Sequence, residues 1–316
     1  MVQSSAHESV LLEESVCGLD VQTNGVYVDA TFGRGGHSAE ILKRLGNQGR
    51  LLVFDRDLDA IAVASKLSAE DPRVVVVHAP FSELGKTVNE MGLTGQVDGV
   101  LFDLGVSSPQ LDNPERGFSF MRSGPLDMRM DTTRGTSASQ WINAASEKEI
   151  ADVIYQFGEE RHSRRMARRV VEERQESPIE DTGRLAEIIK QANPAWEKDK
   201  HPATRAFQGI RIFINEEFAE LESGISQAVN LIKVGGRLVI ISFHSLEDRI
   251  VKKFISLQAK GDKYPRDLPI MNSQLSPVLK SIGKAQKASH AELAKNPRSR
   301  SAVLRVAEKI SDSKLV

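Results

Sequence analysis

The sequence predicts an α/β protein whose doubly wound sheet of parallel strands is interrupted by an all-helical segment. Short apolar runs alternate with helical patterns through the first third of the chain, no convincing strand occurs from about Asn113 to Pro202, and one further strand–helix pair and a closing strand follow. The 316 residues are 40% hydrophobic and 27% charged, which is typical of a globular protein. The single cysteine, Cys17, excludes an internal disulfide and a multi-cysteine metal site.

The first third contains four predicted strands, each a short run rich in Val, Ile, Leu or Phe that begins or ends near a turn signal. They are Val26–Thr31, Arg50–Asp55, Arg73–His78 and Val97–Asp103. The helical patterns between them cover about Ser38–Leu45, Leu58–Leu67 and Ser82–Met91. Strands that alternate with helices in this way form βαβ units, so we expect the four strands to be parallel.

The rest of the chain predicts a helical insertion and then a return to the sheet. Helical patterns cover Glu147–Phe157, Glu159–Arg174 and Arg184–Gln191, and one longer pattern runs from Thr204 to Ile232 and stops at Gly235-Gly236. A strand at Arg237–Phe243, a helix at Ser245–Ile255, long loops over 259–300 and a closing strand at Ser301–Lys309 complete the prediction. We therefore expect a sheet domain made of residues 1–112 and 204–316, with a helical domain, 113–203, inserted for substrate recognition.

Charge is distributed unevenly along the chain. The whole chain has a formal net charge of −1, but the segment from Arg249 to the end contains 15 Lys and Arg against 5 Asp and Glu. This asymmetry favours a surface that faces a polyanion, although a solvated, lysine-rich region would show it too. No apolar run reaches ~18 residues and no leader pattern is visible, so we expect a cytoplasmic protein without a membrane segment.

In a doubly wound fold, ligands bind at the carboxyl ends of the strands. The first strand leads into Gly33-Arg34-Gly35-Gly36-His37, where glycines permit positive φ and close approach of a ligand to the backbone. The dinucleotide fingerprint G-x-G-x-x-G fails, because its third glycine would be Ser38. The loop better fits a non-phosphorylated ligand such as the methionyl part of S-adenosylmethionine, and the alternative is an ordinary strand-to-helix turn.

The next two strand ends suit an adenosine-bearing ligand. Asp55, twenty residues after Gly35, could accept hydrogen bonds from ribose hydroxyls, or it could be a helix N-cap, a role for which its neighbour Asp57 is better placed. Phe81 could cover one face of an adenine ring or belong to the core.

The fourth strand ends in Asp103, followed by a polar loop through Ser107, Pro109 and Asp112. Such a loop could orient an exocyclic amine, which is a poor nucleophile, and accept its proton. The candidate acceptors are Asp103 and the carbonyl groups of Ser107 to Pro109. The alternative is a plain turn at Ser108-Pro109.

Nine distinctive sequence blocks lie in order along nearly the whole chain. They are HESVLLEE at His7–Glu14, DATFGRGGHS at Asp29–Ser38, DRD at Asp55–Asp57, DLGVSSPQLD at Asp103–Asp112, ERGFSFMRSGPLDMRMD at Glu115–Asp131, GEER at Gly158–Arg161, HPATRAFQGIRI at His201–Ile212, ISFHSLEDR at Ile241–Arg249 and NPRSRSAVLR at Asn296–Arg305. In these blocks the chain resembles the bacterial RsmH (MraW) family of 16S ribosomal RNA (cytosine-N4)-methyltransferases.

The resemblance implies a Rossmann-like class I S-adenosylmethionine-dependent methyltransferase sheet with a small inserted helical domain. It implies methylation of N4 of a cytosine in 16S rRNA, conventionally numbered 1402 in the decoding centre, with the 30S subunit as partner. It also implies the residues that contact S-adenosylmethionine: Gly35, Gly36, His37, Asp55, Phe81, Asp103 and Gln110. Many amino-methyltransferases carry an Asn- or Asp-Pro-Pro-aromatic block after the fourth strand. Here that block is DLGVSSPQ, so the proton acceptor is less well defined than the cofactor site.

Further candidates concern the substrate. Phe118, Phe120 and Arg129 could stack on and clamp an extruded cytosine, or they could pack between the two domains. Asp127 and His244 are additional catalytic candidates, and His244 could equally be structural. The histidines His7, His37, His201 and His244 show no metal-ligand spacing, so no metal site is expected.

Candidates for contacts with RNA phosphates are arginines in the insertion and near the end of the chain. Those of the insertion could instead pair with nearby glutamates. The candidates are Arg164, Arg165, Arg168, Arg169, Arg298, Arg300 and Arg305.

Three other functions compete with methyl transfer to rRNA. The broken glycine fingerprint argues against a nicotinamide oxidoreductase. The intact polar strand ends argue against a non-catalytic RNA-binding protein. The missing Pro-Pro-aromatic block argues against a DNA N4-methyltransferase.

Overall fold

A computed structural model describes residues 9–193, 201–261, 275–312 and 315. His7 lies outside the described residues, as does 262–274 of the segment expected to form long loops. The contacts divide the chain into two compact units. The sheet unit contains Met1–Gly105 and Ala219–Val316, and the helical unit contains Val106–Phe218. Among the described residues, no helix combines the length and the apolar character that crossing a membrane requires.

The sheet unit contains a mixed sheet in the order β3-β2-β1-β4-β5-β7-β6. Its strands are β1 Val26–Asp29, β2 Arg50–Asp55, β3 Val74–His78, β4 Val97–Asp103, β5 Ile232–Ser242, β6 Leu279–Lys287 and β7 Val303–Lys309. Strands β1 to β5 are parallel to one another, whereas β7 runs antiparallel between β5 and β6. The predicted α/β, Rossmann-like fold class is confirmed.

The helices follow the strands in the sheet unit and occupy most of the helical unit. They are α1 Leu12–Leu19, α2 Gly36–Arg44, α3 Leu58–Glu70, α4 Leu84–Glu90, α5 Ser108–Asp112, α6 Ala138–Ala144, α7 Glu147–Gln156, α8 Ser163–Glu176, α9 Thr182–Ala192, α10 Ala203–Ile214, α11 Glu217–Leu231, α12 Ser245–Lys260 and α13 His290–Lys295. The strands and helices predicted for the first third are all present, with ends that differ by a few residues.

Both faces of the sheet are buried, which explains why its central strands are continuously apolar. Successive residues of a strand point to opposite faces. In β4, accordingly, Phe102 packs in one core cluster with Phe54 and Ile240, while Leu101 packs in another with Val53. The polar residues at the strand ends are thereby held on a rigid base.

The helical unit has a core of its own, which includes Trp141, Met166 and Ile189. Helix α10 contributes Phe207 and Ile210 to this core, so its contacts lie with the helical unit. The unit therefore extends over 106–218, beyond the expected 113–203, because the apolar face of α10 is buried against the neighbouring helices. Its role as a substrate-recognition domain remains a prediction.

The single helix expected over Thr204–Ile232 was wrong. The helical pattern is interrupted at Asn215, whose side-chain amide donates to the carbonyl of Met128 (2.7 Å) and whose Oδ1 accepts from the N–H of Met130 (2.8 Å). Glu216 follows with a φ of 51°. These hydrogen bonds compete with helix continuation, and α11 begins only at Glu217.

The expected loops over 259–300 were wrong for residues 279–287 and 290–295, and the expected Gly stop was also wrong. Residues 279–287 form the edge strand β6, and 290–295 form α13. The sequence of β6, LKSIGKAQK, is polar because most of the strand is exposed, so it lacks the apolar alternation that predicts strands. Gly235 and Gly236 lie inside β5, which begins at Ile232.

Candidate active site

The strand order creates a switch point between β1 and β4. The chain moves outward from β1 to β3, then returns to the other side of β1 as β4. Ligands of doubly wound folds bind outside the carboxyl ends of the strands at such a point. Asp29, Asp55 and Asp103 are the last residues of β1, β2 and β4, so three carboxyl groups converge on this edge, which we call the rim.

The glycine loop connects β1 to α2 along the rim. Gly33 and Gly35 adopt φ values of 55° and 78°, which disfavour residues with a side chain. A Cβ on Gly35 would also lie 2.7 Å from the ring of Phe32, and one on Gly36 would collide with Ser9. The loop is therefore a strand-to-helix turn whose glycines are required by backbone conformation and by contacts with Phe32 and Ser9, and close approach of a ligand stays a prediction.

Asp29 is buried, with 1% of its surface exposed. Its Oδ2 accepts from the hydroxyl of Ser38 (2.6 Å), and its Oδ1 accepts from the N–H of Thr31 (3.2 Å). Burial raises the pKa of the Asp29 carboxyl to about 6 against these hydrogen bonds, and the charge of Asp55 adds to the effect. Asp29 thus fixes the exit of β1.

Asp55 holds the glycine loop against β2. Its Oδ2 accepts from the N–H of Gly33 (2.8 Å) and its Oδ1 from the N–H of Asp57 (2.8 Å). Burial raises the pKa of the Asp55 carboxyl, although these hydrogen bonds act to lower it. The N-cap of α3 is Asp57, whose Oδ1 accepts from the N–H of Asp59, as the sequence favoured. The backbone N–H of Arg56 also donates to the Asp55 carboxylate. Because two carboxylate oxygens can accept about four hydrogen bonds, Asp55 retains capacity for roughly one more.

Asp103 is the least satisfied carboxyl group of the rim. Its backbone N–H donates to Thr31 Oγ1 (2.6 Å), but its Oδ1 is buried and has no hydrogen-bond partner among the described residues. Burial raises the pKa of the Asp103 carboxyl well above its ordinary value, and the charges of Asp29 and Glu247 raise it further. A buried acceptor without a donor is costly unless a ligand supplies one.

His37 lies beside Asp103. Its Nε2 is 3.2 Å from the carbonyl oxygen of Val10, and because a carbonyl only accepts, Nε2 carries the proton. Burial lowers the pKa of His37 to about 4, so the ring is neutral near pH 7 and Nδ1 is an acceptor. Nδ1 lies 3.7 Å from Oδ2 of Asp103, too far for a hydrogen bond. With Asp103 ionised, the pair therefore presents acceptors only.

Phe81 and His244 lie at the ends of β3 and β5. The half-buried ring of Phe81 packs edge-on against Phe102, with ring centroids 5.5 Å apart. His244 is the N-cap of α12, and its Nδ1 accepts from the N–H of Glu247 (3.4 Å). The Glu247 carboxylate in turn accepts from the N–H of Phe243 (2.8 Å). The structural role considered for His244 is thus present, and a catalytic role stays a prediction.

Asp127 and Arg129 form a closed pair in the helical unit. Nε and Nη2 of Arg129 each donate to an oxygen of Asp127 at 2.8 Å. Burial acts to raise the pKa of Asp127, but the hydrogen bonds from Arg129 outweigh it and the pKa is lowered. Gln110 is also engaged, since its Oε1 accepts from the N–H of Ser107 (2.8 Å) in the capping box of α5. The predicted substrate and cofactor contacts of these residues remain predictions.

The two aromatic candidates of the helical unit are packed. Phe118 is buried, with the guanidinium of Arg116 5.7 Å from its ring centroid. Phe120 is half-buried and packs on Phe207 and His201, at centroid distances of 4.8 and 4.7 Å. Both therefore contribute to packing within the helical unit, and stacking on a base stays a prediction.

The predicted phosphate-binding arginines divide into exposed and paired side chains. Arg164, Arg165, Arg298 and Arg300 are exposed, and so is Arg168, although its Nε lies 3.9 Å from Glu147. Arg169 forms ion pairs with Glu172 and Glu173. Arg305 donates two hydrogen bonds to Asp248, at 2.7 and 3.0 Å. Ion pairing thus occupies Arg169 and Arg305.

Sequence reasoning missed Thr31 and Ser38, which hold Asp103 and Asp29 in place. It also missed Glu247, which accepts hydrogen bonds from the backbone at the end of β5. The sequence signal that could have indicated them is their position, since polar residues just after a buried strand or three residues after a helix N-cap often form hydrogen bonds with the backbone.

Several solved structures are similar to this chain at low identity. An rRNA methylase from Streptococcus thermophilus has 12% identity and a TM-score of 0.43, with 96% of this chain and 98% of that chain covered. A Streptococcus mutans protein in complex with SAH has 12% identity and a TM-score of 0.43, with 96% and 99% covered. NSun6 from Pyrococcus horikoshii with SFG has 12% identity and a TM-score of 0.42, with 96% and 53% covered. Because these identities and TM-scores are low, they carry no conclusion about function.

The match to a sequence family identifies the family of this chain. The profile of the MraW methylase family matches residues 4–310, nearly the whole chain, including both units and every residue of the rim. The chain therefore belongs to the MraW methylase family and is a methyltransferase.

Proposed function

We propose that the protein transfers the methyl group of S-adenosylmethionine to N4 of a cytosine in 16S rRNA, at the decoding-centre position conventionally numbered 1402. Membership of the MraW methylase family supports methyl transfer. The observation that carries the proposal for this chain is the rim, where a buried carboxylate oxygen of Asp103 without a partner among the described residues lies beside a glycine loop at the switch point.

The residues of the rim fit S-adenosylmethionine by their chemistry. The ligand carries hydrogen-bond donors on its ammonium, ribose and adenine groups, and the rim offers acceptors on Asp55, Asp103 and His37. Gly35 and Gly36 would allow it to approach the backbone, Phe81 would cover the adenine ring, and Gln110 would complete the contacts. When bound, S-adenosylmethionine supplies a methyl group on a positively charged sulfur.

Asp103 is the proposed proton acceptor for the cytosine amine. Its raised pKa makes the carboxylate a stronger base than an exposed aspartate. Thr31 fixes the backbone of Asp103 through a 2.6 Å hydrogen bond, which keeps the acceptor in one position. His244 and Asp127 are secondary catalytic candidates.

RNA recognition is assigned to aromatic and basic side chains. Phe118, Phe120 and Arg129 would contact the target base, and the exposed Arg164, Arg168, Arg298 and Arg300 would contact phosphates.

The test is transfer of label from S-adenosylmethionine labelled in its methyl group to 16S rRNA and to 30S particles, both from a strain that lacks the protein. Digestion and nucleoside analysis should show label in N4-methylated cytidine from one of the two substrates. Label in another nucleoside would overturn the cytosine-N4 assignment, and no label in either substrate would overturn the proposal.

A further inference from the structure

Strands β6 and β7 form an antiparallel hairpin at one edge of the sheet. Lys287 pairs with Val303, and Val303 pairs with Ser242 at the carboxyl end of β5. Because β7 is antiparallel to β5, the connection 288–302, which contains α13, lies at the same edge of the sheet as the rim. We call β6 together with this connection, residues 279–302, the basic hairpin.

The N-terminal segment ties this connection to the glycine loop. Oε1 of Glu292 in α13 accepts from the N–H of Leu11 (2.8 Å). The carbonyl of the preceding residue, Val10, accepts from His37 of the loop (3.2 Å). The basic hairpin is therefore anchored directly beside the candidate active site within the sheet unit.

The basic hairpin carries a strong excess of positive charge. It contains six Lys and Arg against one acidic residue, Glu292. All six basic side chains are exposed: Lys280, Lys284, Lys287, Lys295, Arg298 and Arg300. None of its four lysines forms an ion pair with a described residue, whereas in the helical unit Arg168 and Arg169 lie close to glutamates. The lysine charge is thus not neutralised within the described chain.

The row of lysines on β6 has the dimensions of an extended binding surface. Lys280 pairs with Glu308 and Lys287 pairs with Val303, five residues apart on β7, so at ~3.3 Å per residue the two lysines are roughly 17 Å apart along the sheet edge. Lys284 lies in the irregular segment between them. A row of this length can meet several phosphates of one nucleic acid strand. Edge-strand lysines also prevent sheet aggregation, but that function does not account for Lys295, Arg298 and Arg300, which lie outside the strand.

The composition of the hairpin distinguishes among anionic partners. It contains no Phe, Trp or Tyr, so it offers no aromatic surface on which bases could stack. No exposed large hydrophobic side chain of the described chain lies within it, whereas stable attachment to a lipid surface needs such groups. These features leave the phosphate backbone as the partner that fits.

We propose that the basic hairpin binds the RNA substrate through its phosphates, independently of base sequence, and holds it along the rim. This inference rests on the proposed function for the identity of the substrate. It extends that function because it assigns part of the affinity for RNA to β6, α13 and the turn that follows α13. Recognition of the target base is assigned to other residues. The affinity it supplies should fall steeply with salt.

The test compares two double charge reversals with the same change in net charge. Lys284→Glu/Lys287→Glu alters the basic hairpin, and Lys66→Glu/Lys86→Glu alters exposed lysines on α3 and α4 as the matched control. Fluorescence anisotropy at several salt concentrations measures binding to a decoding-region fragment of 16S rRNA and to an unrelated RNA of equal length. Circular dichroism melts establish that both variants fold.

The hairpin variant should bind both RNAs roughly tenfold more weakly, and the slope of log affinity against log salt should decrease by about 1 per lysine. Its KM for the RNA substrate should rise while its affinity for S-adenosylmethionine stays unchanged. The inference would be overturned if the hairpin variant bound both RNAs as tightly as the control variant does, or if its loss of affinity were confined to the 16S fragment. Failure of the wild-type protein to methylate would overturn the proposed function alone, since the binding measurement does not depend on it.

Discussion

Two aspartates, one in each unit, show how the surroundings of a carboxyl group determine its chemistry. Asp103, at the end of β4, has a buried oxygen without a partner among the described residues, and its pKa is raised. Asp127, in the helical unit, is bonded to Arg129 through both oxygens, and its pKa is lowered. Desolvation prevails at Asp103, whereas the hydrogen bonds from Arg129 prevail at Asp127. The comparison favours Asp103 for chemistry and Asp127 for structure.

The largest expected effect separates these two residues. Asp103→Asn preserves the shape of the side chain and removes the base, so methyl transfer to RNA should fall by about 100-fold or more. Asp127→Asn should reduce it far less, because it weakens an ion pair that fixes a loop. Initial rates of label transfer measure both variants at saturating S-adenosylmethionine. Equal losses in the two variants would contradict the distinction.

The next effect concerns stability and pH at the rim. The folded-state pKa of Asp29 is raised from 3.8 to about 6, so the folded protein binds this proton more tightly than the unfolded chain. This tighter binding contributes ~3 kcal/mol to the free energy of unfolding, since the pKa is shifted by about two units. The contribution is present below pH 4 and is lost as the pH rises to 6. The pKa of His37 is lowered to about 4, so its contribution has the opposite sign and increases between pH 4 and 6.5.

Urea unfolding of Asp29→Asn, His37→Asn and wild type between pH 4 and 7 checks these signs. Relative to wild type, the free energy of unfolding of Asp29→Asn should rise with pH, and that of His37→Asn should fall. Parallel curves for all three proteins would show that neither group is perturbed by burial.

The smallest effect separates the neighbours Asp55 and Asp57. Asp55→Asn removes a charged acceptor from the rim and should weaken binding of S-adenosylhomocysteine by about 10- to 100-fold in calorimetry. Asp57→Ala removes the N-cap of α3 and should cost ~1 kcal/mol of stability while leaving that affinity unchanged. The reverse pattern would move the ligand-binding role from Asp55 to Asp57.

Local sequence patterns were sufficient to predict the parts of the fold that depend on neighbouring residues. Runs such as RLLVFD and VDGVLFD are apolar because both faces of the sheet are covered, and the predicted bounds of β2 and β4 match the structure. The positions of Asp29, Asp55 and Asp103 at the strand ends followed from the same runs, and the family followed from motifs spread along the chain.

Features that depend on contacts between residues distant in sequence could not be predicted from local patterns. The polar strand β6 exists because it pairs with β7, and the helix break at Asn215 exists because its side chain bonds Met128 and Met130. Likewise, neighbours remote in sequence explain why Arg305 pairs with Asp248 and why Asp103 Oδ1 has no hydrogen-bond partner in the described part of the chain. A local sequence pattern contains the secondary-structure propensity and the hydrophobic periodicity of a segment. Its hydrogen-bond partners and its burial, in contrast, are set by the packing of the whole unit.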